Sequence, residues 1–485
     1  MQSIKGAGGL LAVGSLFQPN RPGASWRVKS RIDCPERGDG MLKVLNTLLW
    51  GPGTLALILG TGTWLTLRTG GFPQRNLGRA LTLSLGREAR RKGRGGVSPF
   101  GSLMTALAST VGTGNIVGVA AALVSGGPGA LVWMELAALL GLAAKFAECM
   151  LAVKYRRVRR DGTRWGGPMA VMEARLGSAG AVLGRFYALF ALLMAFAMGA
   201  MAQSGALADT FSAAFAHPRW RVGLVTAALA LTILLGGIRR IAEISTVLVP
   251  VMALLYLGGG LAVILGNLRR LPEALILMLR CAVAPEAALG GALGIVTCRE
   301  ALRWGVARSV FSNEAGLGSA AITAACADTE EPVKQGLISM TGVFFDTMVI
   351  CTVTGLAICC SGTLGATDGN GLPLTGAALT LRAFETVLGP LAPWLIGTAL
   401  GLFAFTSVLG CAVQAEATAS YLLGPEAVRP CRVLYGLAVF VGAVIPMATV
   451  LQLADLANAL MAFPNLICLL LLSGEIAGEC GRKER

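Results

Sequence analysis

The chain is short of the residue types that polar chemistry uses. One histidine, His217, stands among 485 residues, beside Pro218 in a short polar connection, so neither a histidine metal site nor a histidine proton relay is expected. The twelve cysteines contain no Cys-x-x-Cys and a single adjacent pair, Cys359-Cys360. Most lie in apolar runs, where they read as small buried hydrophobes rather than a disulfide or zinc framework. No Ser/His or Cys/His partner set, metal cluster or phosphate loop is present, which argues against an enzyme and against any organic cofactor. Nothing resembles a repeated selectivity filter or a ring of charges, which argues against a channel. Charged residues make up only 14% of the chain, well below the roughly 25% of soluble proteins. The net charge of +15 is carried in short segments between apolar runs, with no basic aromatic face, so nucleic acid is excluded as a partner. No obligate protein partner is evident.

What is abundant is apolar surface and glycine. Hydrophobic residues reach 54% and glycine 65 positions, with a mean hydropathy of +0.68. This is the composition of an all-α polytopic membrane bundle whose helices approach closely or break. Apolar runs fall at about 45–67, 101–124, 128–153, 184–214, 222–237, 245–266, 284–297, 339–360, 391–412, 433–452 and 456–473, which makes eleven expected spans. Residues 1–40 hold six Lys or Arg, no run long enough to span and no convincing signal peptide, so they read as unfolded, with Met41 a natural start. Eight basic residues against one acid between Arg68 and Arg94, six more from Lys154 to Arg164, then Arg239-Arg240 and the final Arg-Lys-Glu-Arg, all fall on one side of an eleven-span bundle. The positive-inside rule makes that side cytoplasmic and places the C-terminus there, in the cell membrane. Arg269, Arg270 and Arg280 fall on the other side, against the rule, and the amphipathic stretch 270–281 reads as lying along the surface.

One apolar run is interrupted in a way that suggests a working part. Ser102 to Ala122 is long enough to cross a bilayer but carries Gly112, Gly114 and Asn115 near its middle. A broken helix loses backbone hydrogen bonds that hydrocarbon cannot replace, so it survives only against protein or a wet cavity. Freed backbone groups there suit a small zwitterion and its cation. Gly114-Asn-Ile-Val-Gly118 is also small-xxx-small spacing, and a tightly packed unbroken helix fits it equally. The short run 284–297, with Gly290, Gly291 and Gly294, is a second candidate break. Omitting the leading span, the two breaks fall in helices one and six of ten, the layout of a five-plus-five inverted repeat.

The stretch Gly126-Gly-Pro-Gly-Ala-Leu-Val-Trp-Met-Glu to Glu148 resembles the signature of the alanine or glycine:cation symporters. So do Thr105 to Gly118, Gly166-Gly-Pro-Met169, Gly236-Gly-Ile-Arg-Arg-Ile241, Leu453 to Asn465 and, most specifically, Gly305-Val-Ala-Arg-Ser-Val-Phe-Ser-Asn-Glu-Ala-Gly-Leu-Gly-Ser319 with Pro332 to Gly336 and Phe345-Asp-Thr347. The likeness runs from about 41 to 480. It implies a LeuT-type fold and sodium- or proton-driven carriage of a small amino acid. It divides the transporter domain, 41–480, into an extra helix and basic loop (41–100), a first repeat (101–266) and a second (270–473), with 474–485 as a cytoplasmic tail.

The resemblance also implies roles. Thr113, Gly114 and Asn115 match the unwound first core helix that holds the substrate carboxylate, and Gly290 and Gly291 the sixth-helix break. Thr406 and Ser407 match hydroxyls that meet sodium together with carbonyls near Ala108 and Val111, and oxygen ligands suit sodium. A hydroxyl bonded to its own helix, at the carbonyl four residues back, is the competing reading. Gln203 and Ser204 match a substrate contact, with a neighbouring helix as the alternative partner. Asp346 reads as a structural or gating contact, and Lys145 with Glu148 as a local ion pair. Asn313 and Glu314 either cap a short helix or join Arg308 in an inner gate.

Three departures bear on substrate and coupling ion. Glu135 stands where relatives usually carry Trp, Val132 where they carry Phe, and Gly205 where Asn is common. A carboxylate at Glu135 is either neutral, turned outward, or a ligand for a proton or amine. The expectation is a sodium-coupled symporter of alanine or glycine, with a proton-coupled carrier or a non-transporting sensor on the same fold as alternatives.

Overall fold

The computed structural model describes residues 40–91, 97–158, 163–215, 217–284, 286–289, 294–368 and 371–484. The expectations for 1–39, and the backbone at Gly290 and Gly291, lie outside them.

The chain opens with α1 (Gly40–Leu49) and α2 (Pro52–Arg68), then the short α3 (Phe72–Arg75) and α4 (Leu77–Leu85). α5 (Pro99–Thr110) starts with the Ser98 hydroxyl accepting from Gly101 N at 3.0 Å and a proline in the first turn, where its missing N–H costs nothing. It stops at Val111. A single 3-10 turn over Thr113–Asn115 follows, then α6 (Val117–Gly126), and the two halves are bent by 62°. The interrupted helix expected from Gly112, Gly114 and Asn115 is present, and the unbroken alternative is not.

α7 (Gly129–Lys154) returns to a small antiparallel pair, β1 (Arg157–Val158) and β2 (Arg164–Trp165). α8 (Pro168–Met194) continues through a π-helical stretch, Ala195–Ala202, into α9 (Gln203–Phe215). α10 (Arg219–Leu234), α11 (Gly237–Gly266) and α12 (Leu271–Val283) lead to an antiparallel hairpin, β3 (Glu286–Leu289) with β4 (Gly294–Thr297), in register Glu286↔Thr297. α13 (Cys298–Asn313) opens with Thr297 and Glu300 capping each other and ends in a turn, followed by α14 (Ser319–Ala325). α15 (Pro332–Val343), a second π-helical stretch at Phe344–Cys351, and α16 (Thr352–Ser361) form one rod. α17 (Gly376–Leu388), α18 (Ala392–Leu423), α19 (Val428–Val444), α20 (Met447–Leu471) and α21 (Ser473–Glu484) complete the chain.

Among the described residues seven helices are long and apolar enough to cross a membrane, eight with the bent pair α5/α6 counted as one. Eleven were expected, and three account for the difference. α2 and α10 have only 17 and 16 residues, at or below the lower end of spanning lengths. Within 284–297 the described residues 286–289 and 294–297 pair as antiparallel strands and are not helical. The run reads as a short span in the sequence, but in the eight described strand residues a ladder stands where helical hydrogen bonds would be. The second interruption of a helix lies further on, between α13 and α14 at Glu314–Gly318.

The cysteines follow the sequence reading: of the eleven that are described, most are buried. One core gathers α7, α8, α15 and α20 around Phe146, Met169, Tyr187 and Met461; a second gathers α5, α6, α11, α17 and α18 around Ile116, Tyr256, Phe384 and Phe403. The first interruption belongs to the second of these cores, through Val111 and Ile116, and the second interruption to the first, through Ala315 and Leu317.

Candidate functional site

The site is built by one amide. Asn115 is fully buried, and its Oδ1 accepts from Gly112 N at 3.0 Å, closing the turn on itself. Its Nδ2 donates to Asp346 Oδ1 at 2.8 Å, with the Asp346 carbonyl and Ser312 Oγ each at 3.1 Å. Asp346 is itself fully buried, and its other oxygen accepts from Ser312 Oγ at 2.6 Å and Thr347 Oγ1 at 3.0 Å. Asn313 extends the network, donating from Nδ2 to Thr347 Oγ1 at 3.0 Å while its Oδ1 accepts from Ala315 N at 2.9 Å. An intramembrane carboxylate is tolerable only with such partners. The π-helical stretch carrying Asp346 adds a residue to the turn, a distortion common at functional sites.

Asn115 therefore faces protein, and the least buried residues of the turn are Thr113 and Gly114, both half-buried. Thr113 Oγ1 donates to Gln203 Oε1 at 3.3 Å. A β-carbon at Gly112 would lie 2.8 Å from Ser407 Oγ and 3.5 Å from Gln203 Nε2, so only glycine lets the two side chains converge there. One at Gly114 would lie 3.4 Å from the Phe311 ring of α13. Ser204, next to Gln203, gives its hydroxyl to Met201 O at 3.1 Å, within its own helix.

Of the residues expected around sodium, Ser407 Oγ donates to Val111 O at 3.5 Å. Ala108 belongs to the same crossing, because a β-carbon at Gly410 of α18 would lie 2.9 Å from the Ala108 carbonyl carbon and 2.4 Å from Ser109 N. Thr406 Oγ1 instead donates to Leu402 O at 2.9 Å, the local bond weighed against ligation, and lies 3.2 Å from Met252 Sδ.

The second interruption has its own frame. Glu314 adopts φ 53°, in the left-handed region that costs a non-glycine residue energy, and its carboxylate accepts from Ser319 Oγ. Lys145 Nζ donates to Glu314 O at 3.1 Å and pairs with Glu148 Oε1 at 3.5 Å, with both side chains buried. Glu148 Oε2 accepts from Gly318 N at 3.0 Å and Asn465 Nδ2 at 3.1 Å, and that amide also reaches Gly316 O at 2.9 Å. The ion pair read from Lys145 and Glu148 is present. Asn465 and Ser312 were not singled out in the sequence, where a lone Asn or Ser in an apolar run carries no signal of its partner.

Arg308 does not share a network with Asn313 and Glu314. Its guanidinium lies 5.6 Å from the Trp304 ring and 5.3 Å from the Phe311 ring, with Asp455 of α20 as its charged neighbour. Arg308 and Asn313 are five positions apart along α13, more than one helical turn. Glu135 is half-buried and its Oε1 accepts from Thr352 Oγ1 at 2.8 Å, joining α7 to α16. Gly205 is explained by packing, since a β-carbon there would lie 2.2 Å from Met447 Sδ and 3.0 Å from Gly442 O.

Comparison with known proteins adds to this geometry. A profile described as the sodium:alanine symporter family matches residues 36–481. An uncharacterized transporter of Haemophilus influenzae is 44% identical over 443 residues, covering 91% of this chain and 95% of its own. The sodium/alanine symporter AgcS of Methanococcus maripaludis is 41% identical over 444 residues, with 90% and 96% covered. The probable sodium/glutamine symporter GlnT of Bacillus subtilis is 37% identical over 436 residues, with 89% and 87% covered.

Proposed function

We propose, for a chain that belongs to the sodium:alanine symporter family, that it carries alanine or glycine across the cell membrane together with sodium. The observation that carries this reading is the turn at Val111–Asn115, whose side chain is spent on holding its shape while its backbone lies beside Gln203 and Ser407. The first turn of a helix leaves N–H groups without intrahelical partners and a positive dipole end. The start of α6 thus offers the substrate carboxylate its site, with Thr113 and Gly114 nearest. The last turn of α13 offers carbonyl oxygens to the ammonium group. The Phe311 ring, 3.4 Å from where a β-carbon at Gly114 would stand, crowds this side of the turn, which suits a substrate with a short side chain.

Sodium would take Val111 O and Ser407 Oγ, with the Ala108 carbonyl and Thr406 completing an all-oxygen set once the Thr406 hydroxyl leaves its own helix. The fold label proposed is LeuT-type. Counting α5/α6 as the first core helix, α7, α8–α9, α10 and α11 complete one repeat, and α13/α14, α15–α16, α18, α19 and α20 the other. The first repeat then begins with the bent pair α5/α6 and the second with α13 and α14, separated at Glu314–Gly318. The side bearing Lys154, Arg164 and α21 is cytoplasmic in this reading. Glu148 and Asn465 close the second interruption toward that side, and Arg308 with Asp455 lies on the outer half.

A proton-coupled carrier is the second reading. It is favoured by Glu135, a half-buried intramembrane carboxylate held by a neutral hydroxyl. The test is uptake of labelled alanine and glycine into proteoliposomes under a sodium gradient, a proton gradient or neither, beside Gln203→Ala and Ser407→Ala. Sodium-driven accumulation lost in both variants is the expected result. Accumulation driven by protons alone, and lost in Glu135→Gln, would move coupling to Glu135. Binding without accumulation under any gradient would make the protein a sensor.

A further inference from the structure

A cavity of about 570 Å³ lies away from the interruptions, between α9, α10 and α18. That volume is within the range of ligand pockets. Leu207 and Phe211 of α9, Val225 and Leu229 of α10, and Leu402 and Phe405 of α18 wall its deeper part. Val225 and Leu229 are 58% and 52% exposed, so the cleft opens sideways, toward lipid in a membrane bundle. Its depth depends on Gly401, where a β-carbon would lie 3.0 Å from the Phe211 ring.

The arginine and the histidine of the cleft stand together at one end. His217 and Arg221 line it there, both exposed, at the start of α10. α10 ends at Leu234 just before Arg239-Arg240, so its start is on the face away from the basic loops. From Arg221 to Leu229 the helix rises roughly 12 Å, which takes the cleft from the membrane surface into hydrocarbon. Trp220, half exposed, stacks near the Arg221 guanidinium at 5.3 Å, the pairing of an aromatic with a basic residue found at membrane interfaces. The neighbouring Arg219 is engaged by Asp209 at 3.3 Å, whereas Arg221 has no acidic partner among the described residues.

We propose that this cleft is a binding site for an anionic phospholipid, with its phosphate on Arg221 and His217 and one acyl chain along Val225, Leu229 and Phe405. A guanidinium matches phosphate geometry and a long apolar slot beneath it matches a hydrocarbon chain. Among the described residues that line it there is no carboxylate for the ammonium of a small zwitterion. Two of the three walls are the helices that carry Gln203 and Ser407, so a bound lipid braces the site from behind.

The test is native mass spectrometry of the full chain released from micelles containing equal phosphatidylglycerol and phosphatidylcholine of identical acyl chains, which needs no transport. The wild type should retain phosphatidylglycerol in preference. Arg221→Gln should lower that preference roughly tenfold, the worth of a charge-assisted hydrogen bond. Val225→Trp, which fills the slot and leaves the charge, should remove one bound lipid of either kind. Both variants should melt like the wild type in lipid-free detergent, and Val225→Trp decides the matter if Arg221→Gln does not fold. Equal retention of the two lipids by the wild type, unchanged preference in Arg221→Gln, an unchanged lipid count in Val225→Trp, or full displacement by equimolar oleate would overturn the proposal.

Discussion

Asn115 does the work of several residues because its amide is both donor and acceptor. Replacing it by Ala leaves Gly112 N–H without its partner and removes a donor from a buried carboxylate. Each orphaned group costs about 1–3 kcal/mol, more when charged. Asn115→Ala should therefore lower the melting temperature in detergent as well as abolish uptake, and Asn115→Asp should be worse, since it sets a second carboxylate beside Asp346. The double variant Asn115→Ala/Asp346→Ala should lose less than the sum of the singles, because the two share one interaction. A melt of Asn115→Ala equal to wild type would show that the turn holds without this amide. Asn465 makes a parallel case at the second turn, where Asn465→Ala should cost about 1–3 kcal/mol through Glu148 and Gly316.

Elements repeat the same economy through glycine. α18 crosses α5 with Gly410 against the backbone of Ser109, where a β-carbon would come within 2.4 Å of a main-chain nitrogen that cannot step aside. Gly410→Ala must push the helices apart, which costs about 1–3 kcal/mol as overpacking does and draws Ser407 away from Val111 O. Gly397, earlier on the same helix, meets nothing within 4 Å, and Gly397→Ala should leave stability unchanged or raise it by up to ~1 kcal/mol. Comparing the two melting temperatures, with the sodium dependence of uptake, checks both. The first interruption was legible in the sequence because two glycines and an asparagine stood inside an otherwise apolar run. The second was not. α13 carries Arg299, Glu300, Arg303 and Arg308, so Asn313 and Glu314 read as the cap of a short helix or part of an inner gate, while the glycine-rich apolar run 284–297 imitated a span. What distinguishes a polar helix inside a bundle is its partners, here Lys145, Glu148 and Asn465 from two other helices. Those partners lie at 149 to 170 positions' separation from the turn, beyond any local pattern.

Across the whole molecule the two turns are joined rather than merely near. Asn115 of the first and Ser312, at the edge of the second, meet on the Asp346 carboxylate, so fixing either turn lowers the cost of ordering the other. If sodium binds at Val111 and Ser407 and the amino acid spans Gly114 and α13, each ligand should raise affinity for the other by the same factor, since equilibrium coupling is reciprocal. Couplings of about 5–150-fold are typical between such sites. Ser312→Ala removes a bridge between the turns without touching either proposed ligand. It should pull the coupling factor toward one while leaving sodium affinity without alanine within about threefold of wild type, a change under 1 kcal/mol. Calorimetric titration of alanine with and without sodium, and of sodium with and without alanine, yields both factors independently. Equal coupling in Ser312→Ala and wild type would mean that the turns communicate by another route, through the direct neighbours Ser407 and Gln203 rather than through the buried carboxylate.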